Sequence, residues 1–209
     1  DDYIRKNPTS MKFNIPDIKA SVKKQAYKQE QYDRILAFAK QHPLGLDIMT
    51  LMKTTMTRSE LLGLFPENLN DNKTLSIVQG TVEQKSTITD HYELVSDGLK
   101  NDHRERTIPI ETELYEALKN KPRVVTFQGK NEQSITVTPQ YLFHSPQGKN
   151  WNPSNWYKRV YKVFMADMHA ANPDIPILHP HELRHTRVTL WKNDGVDDFF
   201  INGMCGWSG

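Results

Sequence analysis

Between Asn70 and Ile110 the chain reads as strands, and on either side of that tract it reads as helices. This order of two periodicities restricts the fold more than any other feature. Leu75-Ser76-Ile77-Val78 and the run from Gln84 to Val95 are Thr- and Val-rich strand candidates, and Arg106-Thr107-Ile108-Pro109-Ile110 closes a small antiparallel sheet. Upstream, Tyr27 to Lys40 sets Tyr32, Ile35, Leu36 and Phe38 among Glu, Gln and Lys, an amphipathic helix that His42-Pro43 breaks. Leu44 to Met56 is dense enough in hydrophobes for a buried helix, and Ser59 to Leu64 suits a short one that ends before Pro66. Downstream, helices are expected over Glu111 to Asn120, from Ser154 to Ala170, from Pro180 to a cap at Gly195, and over Val196 to Met204. Val124 to Val137 reads as an additional hairpin with no assigned role. The fold class is α+β, mostly helical with a small antiparallel β-sheet.

Asp1 to Ala20 mixes Pro8, Pro16, Asn7 and Asn14 with single hydrophobes and reads as a linker or arm from an upstream domain, so that one domain occupies residues 21–209. The net charge of +2 is too small to argue for a polyanionic partner by itself. Contact with DNA has to come from local clusters such as Lys19, Lys23, Lys24 and Lys28, or Lys158, Arg159 and Lys162, each of which is also an ordinary solvated helix face. Cys205 is the only cysteine, which excludes an internal disulfide and fits a reducing, cytoplasmic setting. No apolar run is long enough to cross a membrane.

Chemistry concentrates in Leu178-His179-Pro180-His181-Glu182-Leu183-Arg184-His185-Thr186-Arg187. Pro180 suits a first helical turn, so His181, Arg184 and His185 fall at i, i+3 and i+4 on one face. An imidazole beside a guanidinium fork suits a phosphate. The same letters also match His-Glu-x-x-His, in which two histidines hold zinc and the glutamate acts as general base. A catalytic zinc needs a third ligand, and after His185 the chain offers only Asp194, Asp197 and Asp198.

The His-x-x-Arg-His box closely resembles that of the tyrosine recombinase, or phage integrase, family, and the order of elements is similar over nearly the whole chain. The segment Thr54-Thr55-Met56-Thr57-Arg58-Ser59-Glu60-Leu61-Leu62 is similar to the family's first-arginine motif, Thr-Thr-Gly-x-Arg-x-x-Glu-Leu-Leu. Counted from Thr54-Thr55, Arg58 is in register; counted back from Glu60-Leu61-Leu62, Thr57 takes the arginine's place. Arg58 is the favoured site residue. Lys100 stands six residues before Arg106, at the spacing of the family's hairpin lysine, in the turn Asp97 to Asp102 between the last two strands. Trp207 stands twenty-three residues beyond Arg184, where family members usually carry a histidine.

The resemblance implies an integrase-like, DNA breaking-rejoining fold and site-specific recombination (integration or excision) of phage or mobile-element DNA. A tyrosine hydroxyl would attack double-stranded DNA, giving a 3′-phosphotyrosyl intermediate without metal, ATP or other cofactor. Arg58 and Arg184 would neutralise the pentavalent phosphorane, and His181 would exchange a proton or bind phosphate. Lys100 would protonate the leaving 5′-oxygen, Trp207 would clamp a non-bridging oxygen, and His185 would support the arginine. The tyrosine is expected beyond residue 209, making this an incomplete catalytic domain that binds DNA without cleaving it; a homotetramer on DNA is expected of the full protein. The alternatives are a degenerate DNA-binding relative without catalysis, and a zinc hydrolase using His181 and His185. Trp151, Trp156, Tyr157 and Tyr161 are read as core, with base stacking as the other possibility.

Overall fold

The computed structural model describes residues 25–85, 92–98 and 104–207. Helix α1, Gln29–Gln41, turns Tyr32, Ile35 and Ala39 inwards and ends at the extended His42. The chain re-enters helix at once as α2, Gly45–Thr54. That tight corner depends on Gly45, since a Cβ there would lie 1.7 Å from the Ala39 carbonyl oxygen. Seven of the ten α2 residues are buried because the helix is packed between α1 and a later helix, α7 (Pro180–Asn193). Helix α3, Arg58–Leu62, follows as a short element that buries Glu60, Leu61 and Leu62.

The strand tract forms two antiparallel ladders in series. Strands β1 (Leu69–Asn70), β2 (Thr74–Ile77) and β5 (Arg106–Pro109) make a three-stranded sheet in the order β1-β2-β5. Strands β3 (Gln79–Lys85) and β4 (Tyr92–Gly98) make a two-stranded one. Ile77 pairs with Arg106 in the first sheet and Gln79 with Gly98 in the second, so the chain passes from one ladder to the other at Val78. Two expectations change here. The run from Gln84 to Val95 is not one strand; it contains the end of β3 and the start of β4, and with no Gly or Pro between them the Thr/Val pattern runs through the reversal unmarked. Nor is Asp97 to Asp102 a turn joining paired strands: Asp97 and Gly98 still pair inside β4, and β4 and β5 lie in different sheets. Lys100 and the arm 1–20 lie outside the described residues.

Helix α4, Thr112–Lys119, buries Leu114, Tyr115 and Leu118. The additional hairpin is present as β6 (Val125–Gln128) paired with β7 (Ser134–Val137). The helix expected over Ser154 to Ala170 is one helical run, α5 (Pro153–Trp156) and α6 (Lys162–Ala171), joined by a π-helical turn at Tyr157–Tyr161. Trp151, Trp156 and Tyr161 are buried, as the core reading required, while Tyr157 is half-exposed. Helix α8, Asp198–Cys205, closes the described chain. Among the described residues no helix is long and apolar enough to cross a membrane.

One half-buried carboxylate holds its proton more tightly than an ordinary one. The indole N–H of Trp156 donates to Asp47 Oδ2 at 2.7 Å. Burial pushes the Asp47 carboxyl up to about 6, against the Trp156 hydrogen bond and the Lys121 charge, both of which pull it down. Between about pH 4 and pH 6 the folded state therefore holds a proton that the unfolded chain has released, and stability falls as pH rises through that window. Chemical denaturation across this range is expected to show a decline on the order of 2 kcal/mol in the parent, and a flatter profile in Asp47→Asn.

Candidate functional site

Arg184 sits on the second turn of α7, 5% exposed, and its fork is spent on main chain. Nη1 donates to the Thr55 carbonyl at 2.9 Å and Nη2 to the Cys205 carbonyl at 2.6 Å. These are the C-terminal ends of α2 and α8, where the helix dipole concentrates negative partial charge, so one buried cation serves two helix ends. Thr55 holds a left-handed backbone, φ 57°, a conformation that a β-branched residue rarely adopts. Its hydroxyl donates to the Met204 carbonyl at 2.9 Å and its own carbonyl receives Arg184, which fixes it in place. Burial lowers the pKa of Arg184, opposed by Cys205 and Glu60. The Trp207 ring lies 5.2 Å from the guanidinium carbon.

A second arginine completes this knot. Arg106 Nη1 and Nη2 donate to the two Glu60 oxygens at 3.0 and 3.2 Å, and its Nε donates to the Met204 carbonyl at 3.0 Å. Glu60 also accepts from the Thr57 backbone N–H at 2.7 Å, while the Thr57 hydroxyl accepts from the Glu60 N–H, forming a capping box at the start of α3. Burial raises the pKa of Glu60, but the Arg106 hydrogen bond and charge, the Thr57 N–H and the Arg184 charge outweigh it, and the carboxyl ends below its ordinary range. Arg106 served only as a spacing landmark in the sequence. No local pattern marks an ion pair across 46 positions.

The capping box settles where Arg58 lies. Thr57 is the N-cap, and Arg58 is the first residue of α3. From there Arg58 lines a cleft of about 500 Å³ together with Thr57, Ser59, Thr81, Val82, Glu83, Pro153, Ser154, His179, Pro180 and His181. The amino ends of α3, of the helical run that begins with α5, and of α7 all open on this cleft. Helix amino ends carry partial positive charge, and Arg58 adds a full one. Burial lowers the pKa of Arg58, with Tyr157 acting the other way.

The five expected site residues thus fall into two groups and one remainder. Arg58 and His181 share the cleft, Arg184 and Trp207 are in contact with each other, and Lys100 lies outside the described residues. His181 and His185 stack edge to face with ring centroids 4.7 Å apart. Among the described residues no group of three His, Cys, Asp or Glu is placed to hold a metal ion. The glutamate between the histidines is otherwise engaged: Glu182 accepts from the His179 N–H at 2.7 Å as the capping-box partner of α7, and from the Gln25 N–H at 3.2 Å. Of the basic clusters, Lys28, Lys158, Arg159 and Lys162 are exposed, and Lys19, Lys23 and Lys24 lie outside the described residues.

The phage integrase family model matches residues 25–209. The chain belongs to the phage integrase family. It is 27% identical to the transposase from transposon Tn916 of Enterococcus faecalis, with 94% of this chain and 48% of the relative covered. It is 25% identical to a tyrosine recombinase XerC-like protein of Caldanaerobacter subterraneus subsp. tengcongensis, with 99% and 54% covered. The chain spans about half the length of these curated relatives. Its fold matches that of the Tn1549 transposon integrase, solved in complex with transposon right end DNA, at a TM-score of 0.73 and 21% identity over 99% of this chain and 65% of that one. The integrase-like α+β architecture is thereby shown, and among the described residues the zinc hydrolase reading has no ligand set.

Substituting Arg106→Ala leaves Glu60 buried and unpaired, and is expected to cost about 3–5 kcal/mol in urea denaturation. Removing both charges at once, with Glu60→Gln and Arg106→Met, is expected to cost less than the sum of the single changes.

Proposed function

We propose that this chain is the DNA-engaging part of a tyrosine recombinase acting in site-specific integration or excision of a mobile element. The observation that carries the reading is the cleft, where three helix amino ends, Arg58 and His181 converge on a space of about 500 Å³. Such a site favours a phosphate over a neutral or cationic ligand. In the reaction Arg58 binds the scissile phosphate, and His181, exposed at the rim, donates to it or moves a proton. Arg184 acts indirectly: one of its N–H groups holds the turn before Arg58 and another the end of α8, and its buried charge, with Trp207 against it, adds positive field where the phosphorane forms. Lys100 protonates the leaving 5′-oxygen, and exchange proceeds in a homotetramer on two DNA sites.

No tyrosine is among the described residues lining the cleft. Tyr27 and Tyr32 are buried, with hydroxyl pKa values raised to about 12 chiefly by burial, and Tyr161 is committed to the Leu178 carbonyl at 2.7 Å. In this reading the 209 residues bind duplex DNA and form no phosphotyrosyl bond with it.

Binding to a labelled duplex, measured over a range of salt concentrations, tests the reading. Affinity is expected to fall steeply with salt, and Arg58→Ala is expected to weaken it about tenfold and to reduce the salt slope by about one charge. Denaturing electrophoresis of the same mixture is expected to show no covalent adduct. Salt-independent binding, an Arg58→Ala variant that binds like the parent, or a covalent adduct would overturn it.

A further inference from the structure

Glu83 is the only acidic side chain among the described residues that line the cleft. Its Oε1 accepts from Asn152 Nδ2 at 2.7 Å, and its Oε2 from the Ser154 hydroxyl at 3.4 Å. Asn152 is itself the N-cap of α5, its Oδ1 accepting from the Ser154 and Asn155 N–H groups at 2.9 and 3.0 Å. The carboxylate therefore rests against the amino end of the helical run that continues through the π turn into α6, where negative charge is favoured. Two residues earlier on the same strand face, the Thr81 hydroxyl accepts from Asn150 Nδ2 at 3.2 Å and donates to the Leu62 carbonyl at 3.1 Å. Strand β3 is thus fastened at positions 81 and 83 to the 150–154 segment across the cleft.

Glu83 thus places an intramolecular carboxylate on the wall of a cleft that otherwise favours an anion. A phosphate and Glu83 cannot both be held there without like-charge repulsion, which low dielectric walls strengthen. Resting on the proposed function above, we propose that Glu83 is a positioning residue: it latches the β3–β4 hairpin to the amino end of α5, and a DNA phosphate entering the cleft displaces it. Displacement frees β3 and β4 from the amino end of α5.

Glu83→Gln keeps an oxygen acceptor for Asn152 and removes the charge, whereas Glu83→Ala removes both. Without DNA, amide hydrogen exchange of β3 and β4 in the 209-residue chain is expected to match the parent in Glu83→Gln and to be faster in Glu83→Ala. For a short random-sequence duplex at low salt, Glu83→Gln is expected to bind roughly threefold tighter or more than the parent, with the gain shrinking as salt rises. Equal exchange in Glu83→Ala and the parent would sink the latch, and unchanged or weaker binding by Glu83→Gln would sink the displacement. A parent chain that binds no duplex would overturn the DNA reading along with the displacement, while the exchange comparison would still decide the latch.

Discussion

The buried guanidinium of Arg184 organises the rest of the structure. It accepts an environment that disfavours its charge because two helix carboxyl ends, at Thr55 and Cys205, supply the compensating partial charges. Through those bonds α7 fixes both the turn after α2 and the end of α8. Arg106 adds Met204 and Glu60, and Glu60 in turn caps α3 and sets Arg58 on its first turn. The charges of the knot are two arginines and one carboxylate, so it carries a net positive charge. A buried excess charge is costly unless something nearby uses it, and an incoming phosphate would.

The cleft shows how a modest overall charge of +2 remains compatible with a polyanionic ligand. Part of its positive character comes from helix amino ends, which are absent from any count of Lys and Arg. The walls are rigid helical elements, and the one side built from a two-stranded hairpin is the side that Glu83 pins.

The helices were legible because each is a periodic apolar stripe bounded by Pro, Gly or a capping residue, as with Pro180 opening α7 and Gly195 ending it with φ 75°. The α+β class and the additional hairpin followed from the same periodicities. The strand tract was harder to divide, since nothing between Gln84 and Val95 announces a reversal and register is set by pairing rather than by composition. At the site, His181 and Arg58 could be named by type and spacing, and the structure brings both to one cleft. What could not be read were contacts between distant positions: Glu60 with Arg106, Arg184 with Thr55, Glu83 with Asn152. Glu182 shows the opposite failure. Its spacing from His181 and His185 copies a zinc motif, yet its carboxylate is a helix cap, because His179 stands where a serine or threonine would have made the capping box plain.

The cleft lined by Arg58 and His181 is proposed as the seat of a DNA backbone phosphate. A structure of the chain bound to a DNA duplex tests it most directly. A phosphate is expected in the cleft within hydrogen-bond distance of the Arg58 guanidinium and the His181 ring, with Arg184 still bound to the Thr55 and Cys205 carbonyls. A duplex seated on another face, with the cleft open and Arg58 turned to solvent, would contradict it.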